Sequence, residues 1–263
     1  MITHIRMLIG SFFLFLQSLF SFPKIDESIY NIKENKETEI ELSESDEEEQ
    51  LDKTIMSYNI HSGFDLRYNF RLNEIIEFIN NNRTSILCLQ EVSNLEQYNY
   101  IKQETGYKYG EFSHNKCVLS DFKIVAIDIL EFTHMNLYKK NVSLHLVLDV
   151  KGTDLNIFNV HFSSDISGFK QLNEKQDLEE YINDNDIEDF IIIGDTNSIN
   201  LFEKNDAFGN YNKVAFGRTY PSELPVFELD KAYSKGIELL DSAIYSNIKV
   251  SDHLPISAVF KFN

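Results

Sequence analysis

The sequence predicts an α/β sandwich of mixed sheets, and three observations carry that expectation. Short β-branched and aromatic runs follow one another without helices between most of them, which disfavours a doubly wound parallel sheet. Only two stretches show a clear helical stripe. The 263 residues, 43% of them hydrophobic and 13% aromatic, suffice for one sizeable core.

Strand-like runs occupy Thr54–Ile60, Ser85–Gln90, Cys117–Ser120, Lys123–Leu130, Val142–Val150, Asp154–His161, Phe190–Gly194 and Pro255–Phe260. The first helix is expected over Arg71–Asn80, where Leu72, Ile75, Ile76 and Ile79 share a face. The second is expected over Lys170–Ile182, with Leu172, Leu178 and Ile182 inward. Cys88 and Cys117 are the only cysteines and both fall inside apolar runs, so they read as small core residues rather than a disulfide. His145, inside SLHLVLDV, reads as a strand-face residue, and His114 falls in a loop.

Three segments differ in composition. Residues 1–22 hold one arginine, Arg6, and then the run MLIGSFFLFLQSLFSF, the length of a signal-peptide core and short for a spanning helix. The expectation is a cleaved signal, with an uncleaved N-terminal membrane anchor as the alternative. Residues 23–52 carry twelve acids against three lysines and contain SESDEEEQ, too polar to order by burial, so they read as an acidic disordered linker. Residues 53–263 form the folded domain. Sequons at Asn82-Arg83-Thr84 and Asn141-Val142-Ser143 fit a secretory route, either secreted or lumenal.

The net charge of −18 disfavours affinity for polyphosphate through Lys and Arg. It leaves room for an enzyme that uses metal ions for that task. Serine-hydrolase elbows, HExxH, Walker loops and CxxC pairs do not occur. What does occur is a set of strands ending in polar residues: SYNIH at 57–61, LCLQE at 87–91, FNVH at 158–161, IIIGDTN at 191–197, and SDHLP at 251–255. Glu91, Asp195 and Asp252, with Asn59 and Asn197, offer hard oxygen donors suited to Mg²⁺, with Mn²⁺ or Ca²⁺ as alternatives. His161 and His253 offer imidazoles for acid–base work. Each cluster has a plainer reading: a turn cap for Asp252 and His253, turn residues for Asn59 and Asn197, and a helix N-terminal acid for Glu91.

In this order, YNIHSG, LCLQEV, NVHF, IIIGDTN, LDKAYS and SDHLP resemble the endonuclease/exonuclease/phosphatase superfamily, over Thr54 to Phe260. The resemblance implies the DNase I-like four-layer α/β/β/α sandwich and a metal-dependent phosphodiesterase. It implies that Glu91 is the principal metal ligand, with Asn59 and Asp252. Asp195 and Asn197 would position the attacking water and the scissile phosphate. His253 would act with Asp230 as its orienting acid, and His161 would stabilise or protonate the departing oxygen. Lys231 after Asp230 departs from the aromatic or His usual there. GDTN replaces the commoner GDFN. Gln171 and Glu174 stand where relatives often carry Arg and Gln, so substrate contacts are expected to differ. His61 would face either the pocket or solvent.

The nearest branch by resemblance is that of sphingomyelinase-like and GPI-remodelling nuclease-like proteins. The implied substrate is a lipid head group, met at a membrane surface, or another small phosphoester. A secreted endonuclease acting on nucleic acid is the second reading, and a non-catalytic binding module the third. No protein partner is implied.

Overall fold

The computed structural model describes residues 53–133, 141–165, 167–198, 208–214 and 216–262. The apolar leader at 1–22 and the acidic segment at 23–52 lie outside the described residues. Among the described residues no helix is long and apolar enough to cross a membrane.

Among the described residues, twelve strands form two six-stranded sheets. The first contains β1 (Thr54–Asn59), β2 (Ile86–Gln90), β3 (Tyr109–Ser113), β4 (Lys116–Ser120), β11 (Ile237–Ile244) and β12 (Ile256–Phe262), in the order β11-β12-β1-β2-β4-β3. The second contains β5 (Lys123–Glu131), β6 (Val142–Val150), β7 (Thr153–His161), β8 (Phe190–Asp195), β9 (Asn212–Val214) and β10 (Asp230–Lys235), in the order β5-β6-β7-β8-β10-β9. Each sheet is mixed: β1 and β2 run parallel in one, β7 and β8 in the other, and the remaining pairs are antiparallel.

The layers follow from the two-residue period of a strand, which sends neighbouring side chains to opposite faces. In β1, Ile55 enters a core between the sheets while Met56 and Tyr58 enter another, under helices α1 (Leu72–Asn81) and α2 (Leu95–Thr105). In β8, Ile191 and Ile193 join the central core while Phe190 and Ile192 pack under α3 (Phe169–Asp184). The result is helix, sheet, sheet, helix, as expected. Cys88 belongs to the central core and Cys117 to the core under α1 and α2, so they face away from each other across the first sheet and stay free thiols.

The inner faces change character along the strands. Ile55 is followed by Ser57 and Asn59, Ile86 and Cys88 by Gln90, Ile157 by Asn159 and His161, and Ile193 by Asp195. The space between the sheets is therefore apolar in the middle and polar at the carboxyl ends of both parallel pairs. That edge holds the site.

Candidate active site

Pair register aligns the polar ends. His161, Asp195 and Asp230 are direct neighbours across β7, β8 and β10, and Asn59 sits opposite Gln90 across β1 and β2. Residues opposite one another point to the same face, so three chemically active side chains leave one rung of the second sheet toward the first.

Close approach of β7 and β8 depends on Gly194. Its φ is +148°, and a Cβ there would lie 2.0 Å from the Val160 carbonyl oxygen. The glycine of GDTN is thus what allows His161 and Asp195 to stand side by side. Thr196, the departure from GDFN, is fully buried and donates its hydroxyl to the Leu229 carbonyl at 2.8 Å, which ties the residue after Asp195 to the start of β10.

Asn59 links the sheets at the site. Its Nδ2 donates to Glu91 Oε1 at 3.0 Å and to Asp195 Oδ2 at 3.1 Å, while its Oδ1 accepts the His61 N–H at 3.0 Å. In this geometry the amide of Asn59 turns a donor, not an oxygen, toward the carboxylates. Glu91 and Asn197 leave their strands with φ of 56° and 48°, a conformation that costs about 1–3 kcal/mol for a residue with a side chain. At Glu91 the turn is held by the Ser62 N–H on the Glu91 carbonyl at 3.0 Å and by the Val92 N–H on Asn115 at 3.0 Å. At Asn197 the N–H donates to Asp195 Oδ1 at 2.9 Å and the side-chain Nδ2 to the Phe162 carbonyl at 2.9 Å. Asn197 therefore joins the Asp195 loop to the end of β7.

His253 lies between two carboxylates. Its Nδ1 is 2.8 Å from Asp230 Oδ2 and its Nε2 is 3.5 Å from Asp195 Oδ2, with all three residues buried. Burial disfavours the imidazolium, yet the carboxylates of Asp230, Asp195 and Asp252 outweigh it and hold the pKa well above the ordinary histidine range. Asp230 is set in turn by its own N–H, which donates to Thr219 Oγ1 at 3.2 Å. The Tyr220 ring lies against the imidazole, centroids 4.8 Å apart. His161 Nε2 shares Asp195 with His253, lying 3.7 Å from its Oδ2 and 3.8 Å from Glu91 Oε1.

Asp252 completes the ring of acids. Burial raises its carboxyl above the usual range; His253 and His61 oppose the shift, and the charges of Glu91 and Asp195 add to it. His61 faces the pocket, with Nδ1 3.8 Å from Asp252 Oδ1. Ser251 Oγ donates to the Asn59 carbonyl at 2.8 Å, which fastens the SDH segment to β1. Sequence reasoning passed over Tyr68, whose ring packs on His61 at 5.4 Å and whose hydroxyl is pushed up to about 12 by burial and by Asp252 and Glu91. Its segment, FDLRYN, carries no motif that would have marked it.

Asn59, Glu91, His161, Asp195, Asp230, Asp252 and His253 thus lie together, whereas the Asn197 side chain bonds the Phe162 carbonyl and meets Asp195 only through its N–H. The ligand atoms of Asp195, Asp230 and His253 lie within 4.8 Å of one another, a spacing that a cation could fill. The short Asp230–imidazole bond already uses that space for a proton, however. Glu91 and Asp252 fit a cation better: each has one carboxylate oxygen with a donor or imidazole beside it and a second that takes no hydrogen bond among the described residues. Their mutual repulsion across the pocket is what a bound cation would relieve.

Comparison with known proteins bears on the family and the fold. The sequence model described as the Endonuclease/Exonuclease/phosphatase family matches residues 56–253. No curated protein matches the chain. Among solved structures, an endonuclease/exonuclease/phosphatase from Bacteroides vulgatus superposes with a TM-score of 0.69 at 12% identity, covering 81% of this chain and 100% of that one. A functionally unknown conserved protein from Enterococcus faecalis gives 0.65 at 18% identity, covering 80% and 100%. Truncated TDP2 from Caenorhabditis elegans gives 0.63 at 18% identity, covering 81% and 98%. At these identities the likeness is one of fold.

Proposed function

The chain belongs to the endonuclease/exonuclease/phosphatase family, whose members are hydrolases acting on phosphoester bonds, and from that premise we propose that it is a divalent-metal-dependent phosphodiesterase. The observation that carries the reading is the continuous chain Glu91–Asn59–Asp195–His253–Asp230, each step within 3.5 Å, built from three strands and two loops.

Glu91 and Asp252 would hold the cation, Mg²⁺ first and Mn²⁺ or Ca²⁺ as alternatives, with Asn59 orienting Glu91. The bound ion would supply charge neutralisation at the phosphate. Asp195, held by the Asn197 N–H and by Asn59, would with Asn197 position the attacking water and the scissile phosphate and accept a proton from that water. His253, kept protonated by Asp230, offers Nε2–H to a phosphoryl oxygen as charge develops. His161, near both Asp195 and Glu91, would stabilise or protonate the departing oxygen.

The proposed substrate is a lipid head group or another small phosphoester, in the secretory lumen or outside the cell. The arginines support a small ester over a polynucleotide. Arg67 pairs with Glu223, Arg71 with Asp65 and Glu74, and Arg83 with Asp121. Three of the four arginines after residue 53 are therefore neutralised within the protein.

The test offers the full chain bis-p-nitrophenyl phosphate, sphingomyelin and plasmid DNA with Mg²⁺. Ester and lipid turnover that EDTA abolishes and Mg²⁺ restores is expected. Glu91→Ala and His253→Ala should each lose activity by at least about 100-fold. Plasmid nicking without lipid turnover would replace the substrate reading with the endonuclease one, and no turnover of any substrate would leave the binding-module reading.

A further inference from the structure

The inner face of α3 is polar at its first turns, and its polar groups grip the two segments that carry the site. Gln171 Nε2 donates to the Asp165 carbonyl at 2.9 Å and to the Asn197 carbonyl at 3.1 Å. Glu174, 3% exposed, accepts three bonds: from Ser163 N–H at 2.7 Å, Ser163 Oγ at 2.6 Å and Asn141 Nδ2 at 3.0 Å. The Gln171 amide nitrogen and the Glu174 carboxylate thus bond the protein itself.

Asn141 passes this grip to the site. Its Nδ2 also donates to the His161 carbonyl at 2.7 Å, and its Oδ1 accepts the Val142 N–H at 3.0 Å and Lys116 Nζ at 3.4 Å. Burial pushes the Glu174 carboxyl up, and the Ser163 and Asn141 donors, with the charge of the buried Lys116 ammonium, oppose that shift. His161 is the last residue of β7. On the β8 side the next residue is tied by the Phe162 N–H on the Asp195 carbonyl at 2.9 Å and by Asn197 Nδ2 on the Phe162 carbonyl at 2.9 Å. On the α3 side the strand end is held through the His161 carbonyl by Asn141 and through Ser163 by Glu174.

We propose that Glu174 is a positioning residue for His161, acting through Asn141 and Ser163. The residue type follows from the bonds. Three donors converge on it, and a carboxylate accepts all three, whereas a glutamine amide has one oxygen and would aim N–H groups at a donor. Releasing the end of β7 would let the imidazole drift, and a misplacement of about 1 Å costs a reacting group about 100-fold.

The proposal rests on the hydrolase reading only for its kinetic arm. In the first arm, the His161 Cε1–Hε1 NMR signal is compared at one pH between the full chain, Glu174→Gln and the milder Ser163→Ala. It should move or broaden in both variants, while that of His145, which bonds Asn156 and Tyr181 instead, stays in place. In the second arm, hydrolysis of diphenyl phosphate is compared with that of bis-p-nitrophenyl phosphate. Glu174→Gln should slow the poorer leaving group about 10–100-fold and the better one only a few-fold. An unchanged His161 signal in both variants, or an equal loss on both esters, overturns the proposal. If the unaltered chain hydrolyses neither ester, the hydrolase reading fails and the NMR arm alone decides the placement of His161.

Discussion

Gln90 Nε2 donates to Asn159 Oδ1 at 2.7 Å, and this bond crosses from one sheet to the other with both residues closed to solvent. Asn159 Nδ2 also reaches the Leu89 and Cys117 carbonyls at 2.9 and 2.8 Å. These residues stand directly below Glu91 and His161, so the bridge sets the width of the pocket. A buried amide stripped of partners costs about 1–3 kcal/mol per orphaned group. Asn159→Leu should accordingly lose about 2–5 kcal/mol in urea unfolding. A loss under about 0.5 kcal/mol would show that the bridge does not hold the sheets.

Gly194 and Gly152 make a matched pair. Both have positive φ, but a Cβ at Gly152 meets nothing within 4 Å, whereas one at Gly194 meets the backbone of β7. Gly152→Ala should cost about 1 kcal/mol of backbone strain. Gly194→Ala should cost several times more, or prevent folding, because β7 must move away. Equal melting temperatures for the two variants would contradict the close approach.

Asp230→Asn tests the orientation of His253. The amide is nearly isosteric, but it no longer supplies the charge that keeps the imidazole protonated. The expected result is a drop in kcat of at least about 100-fold with little change in KM and an unchanged circular dichroism spectrum. Retention of half the activity would remove His253 from the chemistry.

His145 gives the fold a pH dependence. It stacks on Phe158 with ring centroids 4.3 Å apart and bonds Asn156 and Tyr181. Burial lowers its pKa below the ordinary value of 6.5, against the Asn156 bond and the Asp128 charge. As pH falls through about 6.5 the unfolded chain takes up a proton that the folded chain refuses, so stability declines on the acid side. His145→Phe should flatten that decline between pH 7.5 and 5 in thermal melts. Parallel curves for the two proteins would mean that His145 titrates normally when folded.

Much of this was legible because the strand period is simple. Apolar runs in β1, β2 and β8, buried on both faces, pointed to the sandwich, and their polar ends pointed to the site. Other elements were hidden by their own chemistry. α2 buries Gln97, Tyr98, Ile101 and Thr105, too mixed a face to show a stripe, although Asn94 caps its start by accepting from the Gln97 N–H at 2.8 Å and Gly106 ends it. β10 reads DKAYSK and looks like surface, yet Lys231 is fully buried and reaches the Ser198 carbonyl at 2.8 Å. β3, β9 and β11 are edge strands with broken alternation. At the site, residue types foretold the chemistry, but the support from Asn141 and Glu174 runs through main-chain carbonyls and amides, which leave no trace in spacing.

The saturated side chain of Asn141 bears on what its sequon means. Both hydrogens of that nitrogen are given to internal acceptors, one of them beside an imidazole. A sugar placed there would have to break the bonds to the His161 carbonyl and to Glu174, so folding has its own use for this asparagine whatever compartment the chain passes through. Occupancy mapping by mass spectrometry on material from a eukaryotic host should find position 141 bare.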